Sequence, residues 1–172
     1  IVDPKAERGK WKETLPDIAH EINIVNLTSE NDNKGLLDPY VILKLPKDSE
    51  SLAIDILTFL TGISSRDSEK FPVLRKAIRS VTQSEQRGLL LVIDELRKED
   101  TPISNSIADH IESFVDYDFA HLLFSDGNVT QSISLEKQLN IIQVADLVLP
   151  DSNSSFEEYT TMELLSVAML IV

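Results

Sequence analysis

The chain has 172 residues, a formal net charge of −13 and no cysteine. The lack of cysteine excludes disulfide frameworks, thiolate zinc sites and cysteine nucleophiles, and the charge argues against broad contact with a nucleic-acid backbone, which needs lysine and arginine to replace counterions. The five glycines are too far apart for a dinucleotide fingerprint or a phosphate-binding P-loop, each of which needs at least two glycines close together.

Length and composition are those of one globular domain, because 42% of the residues are hydrophobic and 26% are charged. The sequence has no secretory signal and no apolar stretch long enough to span a bilayer. It begins with Ile1-Val2 and ends in the apolar run 167–172. Because such ends would be exposed in an isolated domain, we expect the chain to be an excised part of a longer protein.

The first part of the chain predicts short strands and turns. Ile1-Val2 is typical of the end of a buried strand, and the following Asp3-Pro4 predicts a turn, since proline is disfavoured in a central strand. Residues 5–21 predict a helix that is broken near Pro16. Alternation of polar and β-branched residues predicts a strand over 21–27, and residues 36–40 predict a short extended segment.

From residue 48 the apolar residues recur with the period of a helix. We expect Asp48 or Ser49 to cap the first helix, and Thr101-Pro102 predicts the start of the last one. The spacing predicts four helices over residues 49–115, with these apolar stripes: Leu52, Ile56, Phe59, Leu60 and Ile63; Phe71, Leu74, Ala77, Ile78 and Val81; Leu89, Val92, Ile93 and Leu96; Ile103, Ile107, Ile111 and Phe114.

After a turn at 125–128 the pattern returns to that of a strand, over residues 140–149. Ser155 and Glu158 have the spacing of a capping box, which predicts a helix running to the end of the chain. The predicted order is therefore strand, strand, helical insert, strand and helix.

Residues 89–95, Leu-Leu-Leu-Val-Ile-Asp-Glu, allow two interpretations. An apolar run that ends in Asp-Glu is typical of a Walker B strand, in which the Asp orients magnesium and the Glu positions water. The flanking residues carry no turn signal, and the apolar residues keep helical spacing. The pattern favours a buried helix face with Asp94 and Glu95 exposed.

The other polar residues form no recognisable site. His20, His110 and His121 lack the spacing of a zinc helix, and the aspartates near Gly127 do not match a calcium loop. We therefore predict no metal ligand and no catalytic residue. Asp3 is a stronger candidate for ligand binding than these residues, because an Asp at the carboxyl end of a parallel strand lies where α/β folds bind ligands. An alternative of equal weight is that Asp3 only forms a turn with Pro4.

The predicted strands and helices, in their order along the chain, resemble the ATPase domain of the type IV secretion and conjugation ATPases. These are HerA/FtsK-like motors, and the resemblance is to the conjugative-transposon type. In that family a strand ends in Asp-Pro-Lys/His-Gly-Glu-Tyr, and residues 1–8 are similar, with Ala6 in place of Gly and Arg8 in place of the aromatic residue. A strand and an Asn/Asp-Pro segment follow, like 22–27 and 37–40. An all-helical subdomain and a return to the sheet complete the resemblance.

The resemblance implies an α/β fold: a partial RecA-like P-loop NTPase sheet with an inserted all-helical subdomain. The implied division is 1–48 for a partial α/β core, 49–120 for the helical insert and 121–172 for the return to the core. The chain would lie between the P-loop and the Walker B strand and would be inactive alone. Asp3 and Glu7 would be the acidic groups near the nucleotide.

The resemblance also implies cofactors, partners and a location for the longer protein. It would use ATP and magnesium and would act as a homo-oligomer with secretion-channel proteins, in the cytoplasm at the inner face of the cell membrane. It would drive transfer of DNA or protein, although direct DNA contact is not expected for this acidic part. Two alternatives remain open: an acidic α/β interaction domain without enzymatic activity, and a metal-dependent enzyme that uses Asp94 and Glu95.

Overall fold

The computed structural model describes residues 8–28, 33–129, 133, 137–144 and 147–172. The predicted strand end at Ile1-Val2 and the turn at Asp3-Pro4 lie outside these residues. The described α-helices and strands, in chain order, are α1 (Trp11–Thr14), β1 (Ile22–Leu27), α2 (Pro39–Ile42), α3 (Pro46–Thr61), α4 (Lys70–Gln83), α5 (Leu89–Glu99), α6 (Pro102–Val115), β2 (Leu139–Val144) and α7 (Thr161–Ile171). Short 3₁₀-helices lie at Arg8–Lys10, Pro16–Glu21, Asp118–Leu122 and Phe156–Glu158.

β1 and β2 form a parallel pair, with Ile22 opposite Leu139 and Leu27 opposite Val144. Parallel neighbours need a crossover connection, and here the crossover contains α2 to α6. Leu27 and Val144 are buried against the helical core, and Ile22 and Ile141 are buried as well, on the opposite face of the strands. Burial on both faces is typical of parallel sheets, so the chain is a mixed α/β protein with a small parallel sheet.

The core lies among α3, α4, α5, α6 and the 3₁₀-helix Asp118–Leu122, with α7 packed against α3. The four predicted helices are confirmed. Their stripes supply about half of the core, including Ile56, Leu60, Leu74, Ile78, Leu89, Leu96 and Ile111. The division of the chain into a partial α/β core (1–48), a helical insert (49–120) and a return to the core (121–172) stays a prediction.

Two predicted helix starts are wrong. α3 begins at Pro46 with Leu45 in the capping position, because proline fits the first helical turn without losing a hydrogen bond. Ser49, expected as a cap, lies inside α3 and donates to the Leu45 carbonyl at 3.0 Å. The Ser155–Glu158 capping box exists but closes only a 3₁₀ turn, whereas α7 starts at a second box formed by Thr160 and Glu163.

Two predicted strands or extended segments also differ from the structure. Strand β2 ends at Val144, and Val148 and Leu149 lie exposed in an irregular connection. The apolar run therefore continues past the point where strand pairing stops, and its residues 145 and 146 lie outside the described part. Residues 36–40 are not extended: they form a turn and the start of α2. The predicted strand over 21–27 and the helical break near Pro16 are confirmed.

Candidate functional site

Asp3 and Glu7, the predicted nucleotide-binding residues, lie outside the described residues. Their assignment stays a prediction. The other sequence-based candidates all fall within the described part of the chain.

Asp94 and Glu95 lie on α5, so the Walker B interpretation of residues 89–95 is wrong and the helical one is confirmed. Asp94 is exposed. Glu95 accepts a hydrogen bond from Ser80 Oγ at 2.5 Å and pairs with Lys98, and these two contacts lower its pKa. Glu95, which was predicted to be exposed, is therefore half-buried and connects α5 to α4, and neither carboxylate stands at the end of a strand.

The histidines do not converge. His20 lies beside Glu21, with Nε2 3.2 Å from a carboxylate oxygen, and His110 stacks on Phe114 of the same helix. Asp126, near the predicted turn, accepts from the backbone N–H of Asn128 at 3.0 Å, which lowers its pKa. Among the described residues, no group of three or more His, Asp or Glu side chains is placed to hold a metal ion.

The most unusual polar group is one that the sequence analysis did not single out. Asp38 is the only buried carboxylate among the described residues. Its Oδ1 accepts from the N–H of Tyr40 at 2.9 Å. Its Oδ2 accepts from the N–H of Leu89 at 2.7 Å and from that of Ser125 at 3.0 Å. One side chain thus joins three chain segments that are far apart in sequence.

These three segments are the entry to the helices, the α4–α5 connection and the exit from α6 towards β2. Other backbone bonds reinforce the junction: Leu90 N–H donates to the Ser125 carbonyl at 3.1 Å, and Leu37 N–H donates to the Leu122 carbonyl at 2.9 Å. We call this arrangement the Asp38 junction. It lies where the helical connection between β1 and β2 begins and ends.

Glycines allow the segments to approach closely. A methyl group on Gly88 would overlap the Ser125 carbonyl oxygen, and one on Gly127 would lie 2.6 Å from Gln86 Cγ. Gly35 has φ +73°, and a methyl group there would lie 2.7 Å from Ser125 Cβ. Three of the five glycines therefore serve this junction and none of them serves a phosphate loop.

Burial and hydrogen bonding act on Asp38 in opposite directions. Removal from water raises the pKa of Asp38 to about 7, and the three amide hydrogen bonds partly offset this rise because they stabilise the charged form. Next to it, the Tyr40 hydroxyl lies 3.0 Å from Thr82 Oγ1, and burial raises the pKa of Tyr40 to about 12. These two residues fasten α2 to α4 and α5.

A local signal for Asp38 was present in the sequence. Asp-Pro is a helix cap followed by proline at the first helical position, the same pattern that Thr101-Pro102 shows at α6. The capping role could therefore have been predicted. The bonds to Leu89 and Ser125 could not, because they depend on tertiary packing. With both oxygens engaged and no exposure, Asp38 organises the fold and offers no contact to a ligand.

A surface groove lies between α4 and α5. It has a volume of about 240 Å³ and is lined by Lys76, Ala77, Ser80, Glu95, Lys98 and Glu99. Its two lysines pair with its two glutamates, Lys76 with Glu99 at 3.2 Å and Lys98 with Glu95. The groove therefore has no unbalanced charge with which to select a ligand.

Comparison with known proteins gives one family and one relative. The uncharacterized protein YddE of Bacillus subtilis (strain 168) is 28% identical over 186 residues, which cover 98% of this chain and 22% of YddE. The chain thus spans about a fifth of the length of the curated relative that it matches. No solved structure matches it.

None of the helices among the described residues is both long and apolar enough to cross a bilayer. The sequence matches the AAA-like domain family over its whole length, residues 1–172. The chain therefore belongs to the AAA-like domain family.

Proposed function

We propose that the chain is the internal part of a conjugation or type IV secretion motor ATPase, lying between the P-loop and the Walker B strand. The observation that carries the proposal is the match to the AAA-like domain family over residues 1–172. In the longer protein, ATP hydrolysis with magnesium powers the transfer of DNA or protein. The 172 residues alone have no ATPase activity.

The connection between the strands supports this proposal. β1 and β2 are parallel neighbours, and the chain between them contains the helices α2 to α6. A RecA-like sheet with an inserted helical subdomain has this layout. In open α/β sheets, ligands bind outside the carboxyl ends of the strands, and on this proposal Asp3 and Glu7 are the acidic groups near the nucleotide.

The described residues themselves do not fit an ATP–magnesium site. They hold no cluster of metal ligands, Asp94 and Glu95 lie on a helix, and three of the five glycines pack the Asp38 junction. The proposal therefore assigns phosphate binding and magnesium to other parts of the longer protein. The 22% share of YddE that the chain covers leaves room for them.

On this proposal the chain contributes structure and contact surfaces to the motor. Its partners are other copies of the motor subunit, in a homo-oligomer, and secretion-channel proteins at the inner face of the cell membrane. DNA contact falls to other parts of the protein, because a net charge of −13 repels a polyanion.

Phosphate release by the longer protein and by the 172-residue chain tests the proposal. We expect ATP turnover by the longer protein, a loss in Asp3→Asn, and no turnover by the chain alone. Asp94→Asn and Glu95→Gln, on the surface of α5, should leave the turnover of the longer protein unchanged. Turnover by the isolated chain that either of these two substitutions abolishes would overturn the proposal.

The alternative is an acidic α/β interaction domain without enzymatic activity. It is favoured by exposed carboxylates that form no ion pair with any described residue, such as Asp55 and Glu157. It predicts that the longer protein neither binds nor hydrolyses ATP. A nucleotide-binding measurement on the longer protein separates the two functions directly.

A further inference from the structure

Three aromatic rings form a cluster where α3 meets the 3₁₀-helix before α7. The ring centroid of Phe156 lies 5.4 Å from that of Phe59 in an edge-on arrangement and 5.6 Å from that of Tyr159. Phe59 packs against the core, whereas Phe156 is 45% exposed. We call Phe59, Phe156 and Tyr159 the aromatic cluster. Its exposed ring is held in place by its neighbours and still has apolar surface to bury.

The two chain segments that carry the aromatic cluster have only acidic residues among their charged side chains. Residues 48–65 and 138–172 contain no lysine, arginine or histidine. Asp55 lies one helical turn before Phe59 on α3, and Glu157 directly follows Phe156. Both carboxylates are exposed, and neither forms an ion pair with a described residue. The face thus combines an apolar ring with unbalanced negative charge.

Four of the six lysine and arginine residues of α4 and α5 are already paired within the chain, so they are not free to serve a second copy. Lys76 pairs with Glu99, and Arg79 pairs with Glu50 across to α3. Arg97 pairs with both Asp109 and Glu112 of α6, at 2.6 and 2.5 Å. Two copies that each carry a charge of −13 also repel one another. A second copy is therefore a poor match for this face, and a nucleic acid is a worse one.

We propose that the aromatic cluster, with Asp55 and Glu157, docks a segment of a partner protein that carries arginine or lysine beside an apolar side chain. The cation lies over the exposed face of Phe156 and is paired with Glu157 or Asp55. The apolar neighbour covers the remaining ring surface. This inference rests on the charges and rings of the face and does not depend on ATPase activity.

Fluorescence anisotropy with a labelled peptide of alternating arginine and leucine tests the proposal on the full-length protein that carries this chain. We expect Phe156→Ala and Glu157→Lys each to weaken binding about fivefold or more, which corresponds to the loss of one cation–π contact or ion pair in a partly desolvated site. A peptide of alternating glutamate and leucine should not bind. Thermal unfolding confirms that each variant is folded.

Tyr117 provides a matched control, because it is 40% exposed and lies between Asp116 and Asp118 but belongs to no ring cluster. Tyr117→Ala should leave binding unchanged. Equal affinities of wild type and Phe156→Ala, or an equal loss in Tyr117→Ala, would show that charge alone attracts the peptide and would overturn the proposal.

Three further results would also overturn it. Self-association that Phe156→Ala abolishes in sedimentation equilibrium would assign the face to a second copy. DNA binding that Phe156→Ala abolishes would assign it to a nucleic acid. If the 172-residue chain bound the peptide and the full-length protein did not, another segment of the same polypeptide would be covering the aromatic cluster.

Discussion

At the scale of single residues, Asp38 shows how a carboxylate can be accommodated away from water. Three amide N–H groups approach its two oxygens from Tyr40, Leu89 and Ser125. Those amides belong to chain ends that would otherwise lack hydrogen-bond partners, in particular the first turns of α2 and α5. The Asp38 side chain therefore accepts hydrogen bonds from backbone N–H groups that have no partner within their own helices. In return, its carboxyl group has to be removed from water, which costs free energy.

That cost makes stability depend on pH. Burial raises the folded-state pKa of Asp38 to about 7, from an ordinary value of 3.8. The folded protein consequently holds a proton that the unfolded chain has released between about pH 4 and pH 7. The contribution of Asp38 is fully present below this window and falls as the pH rises through it, by up to about 1.4 kcal/mol per pH unit.

Urea unfolding at pH 4 to 8 checks this expectation. The free energy of unfolding of wild type relative to Asp38→Asn should fall between pH 4 and 7 and then level off. Asp94→Asn, which changes an exposed carboxylate, is the matched control and should change the free energy of unfolding little. A difference between wild type and Asp38→Asn that grows with pH would contradict the raised pKa.

The glycines of the junction allow a second test at this scale. Gly88→Ala places a methyl group against the carbonyl group of Ser125, and we expect it to destabilise the fold by about 1–3 kcal/mol or more through overpacking. Gly62 caps α3 with φ +66° and has open space around it. Gly62→Ala should therefore cost only the strain of the left-handed conformation, about 1–2 kcal/mol.

Denaturant unfolding of both variants distinguishes steric overlap from backbone strain. Gly88 has φ 177°, an extended conformation that alanine adopts freely, so any loss there comes from the packing of the junction. If Gly88→Ala were as stable as wild type, the close approach of Gly88 to Ser125 would be wrong.

At the scale of elements, the helices were the most predictable part of the chain. Their apolar stripes repeat over two or more turns, and most of the same residues are buried in the structure. The parallel pairing of β1 with β2 could not be read from local pattern, because strand partners are chosen by packing across the whole helical connection. The alternating pattern of residues 21–27 identified a strand but not its neighbour.

The boundaries of the elements were harder to predict, because two capping signals lie close together in the sequence before α7. Ser155–Glu158 and Thr160–Glu163 both have capping-box spacing and both boxes form, yet only the second is continued by an α-helix. The burial of Leu165, Ala168 and Met169 decides between them, since α7 has to present these residues to the core. The sequence shows the caps, while packing selects the helix.

This competition predicts different costs for two similar substitutions. Thr160→Ala removes the acceptor for the Glu163 N–H at the start of α7 and should destabilise the protein by about 1 kcal/mol. Ser155→Ala affects a single exposed 3₁₀ turn and should cost clearly less. Chemical unfolding of both variants provides the comparison, and an equal or larger loss in Ser155→Ala would show that the 3₁₀ turn is a true part of the helix.

The candidate site was predictable only where one segment carried the whole signal. Asp94 and Glu95 attracted attention as a motif, and the helical spacing of the apolar residues around them correctly predicted a helix. Asp94 is exposed as predicted, whereas Glu95 is half-buried. Asp38 and Phe156 gain their importance from partners more than fifty residues away in the sequence, Leu89 and Ser125 for the former and Phe59 for the latter. A single sequence does not display such partnerships.

At the scale of the whole molecule, the excess of carboxylates dominates the electrostatics. The described ion pairs lie at the surface, where each contributes little, and the net charge of −13 acts against compactness. Screening should therefore help the folded state more than it weakens the ion pairs.

We expect the midpoint of thermal unfolding to rise by a few degrees when sodium chloride is increased from about 0.05 to 0.5 M, a range over which the screening length falls to a few ångströms. Differential scanning fluorimetry measures the change, and tetramethylammonium chloride controls for specific sodium binding. A midpoint that falls with salt would mean that the ion pairs outweigh the repulsion.

From the position of the helices between two paired strands we expect an order of folding. Contacts within α3 to α6 are comparatively local, whereas β1 meets β2 only after the intervening chain has closed into a loop. Loop closure is less costly once the helices have packed and brought residues 33–40 and 121–128 together through Asp38. During synthesis β1 is made before β2, and the whole helical connection is made between them. Until β2 is available, the edge of residues 22–27 that later pairs with β2 has its backbone hydrogen-bonding groups exposed.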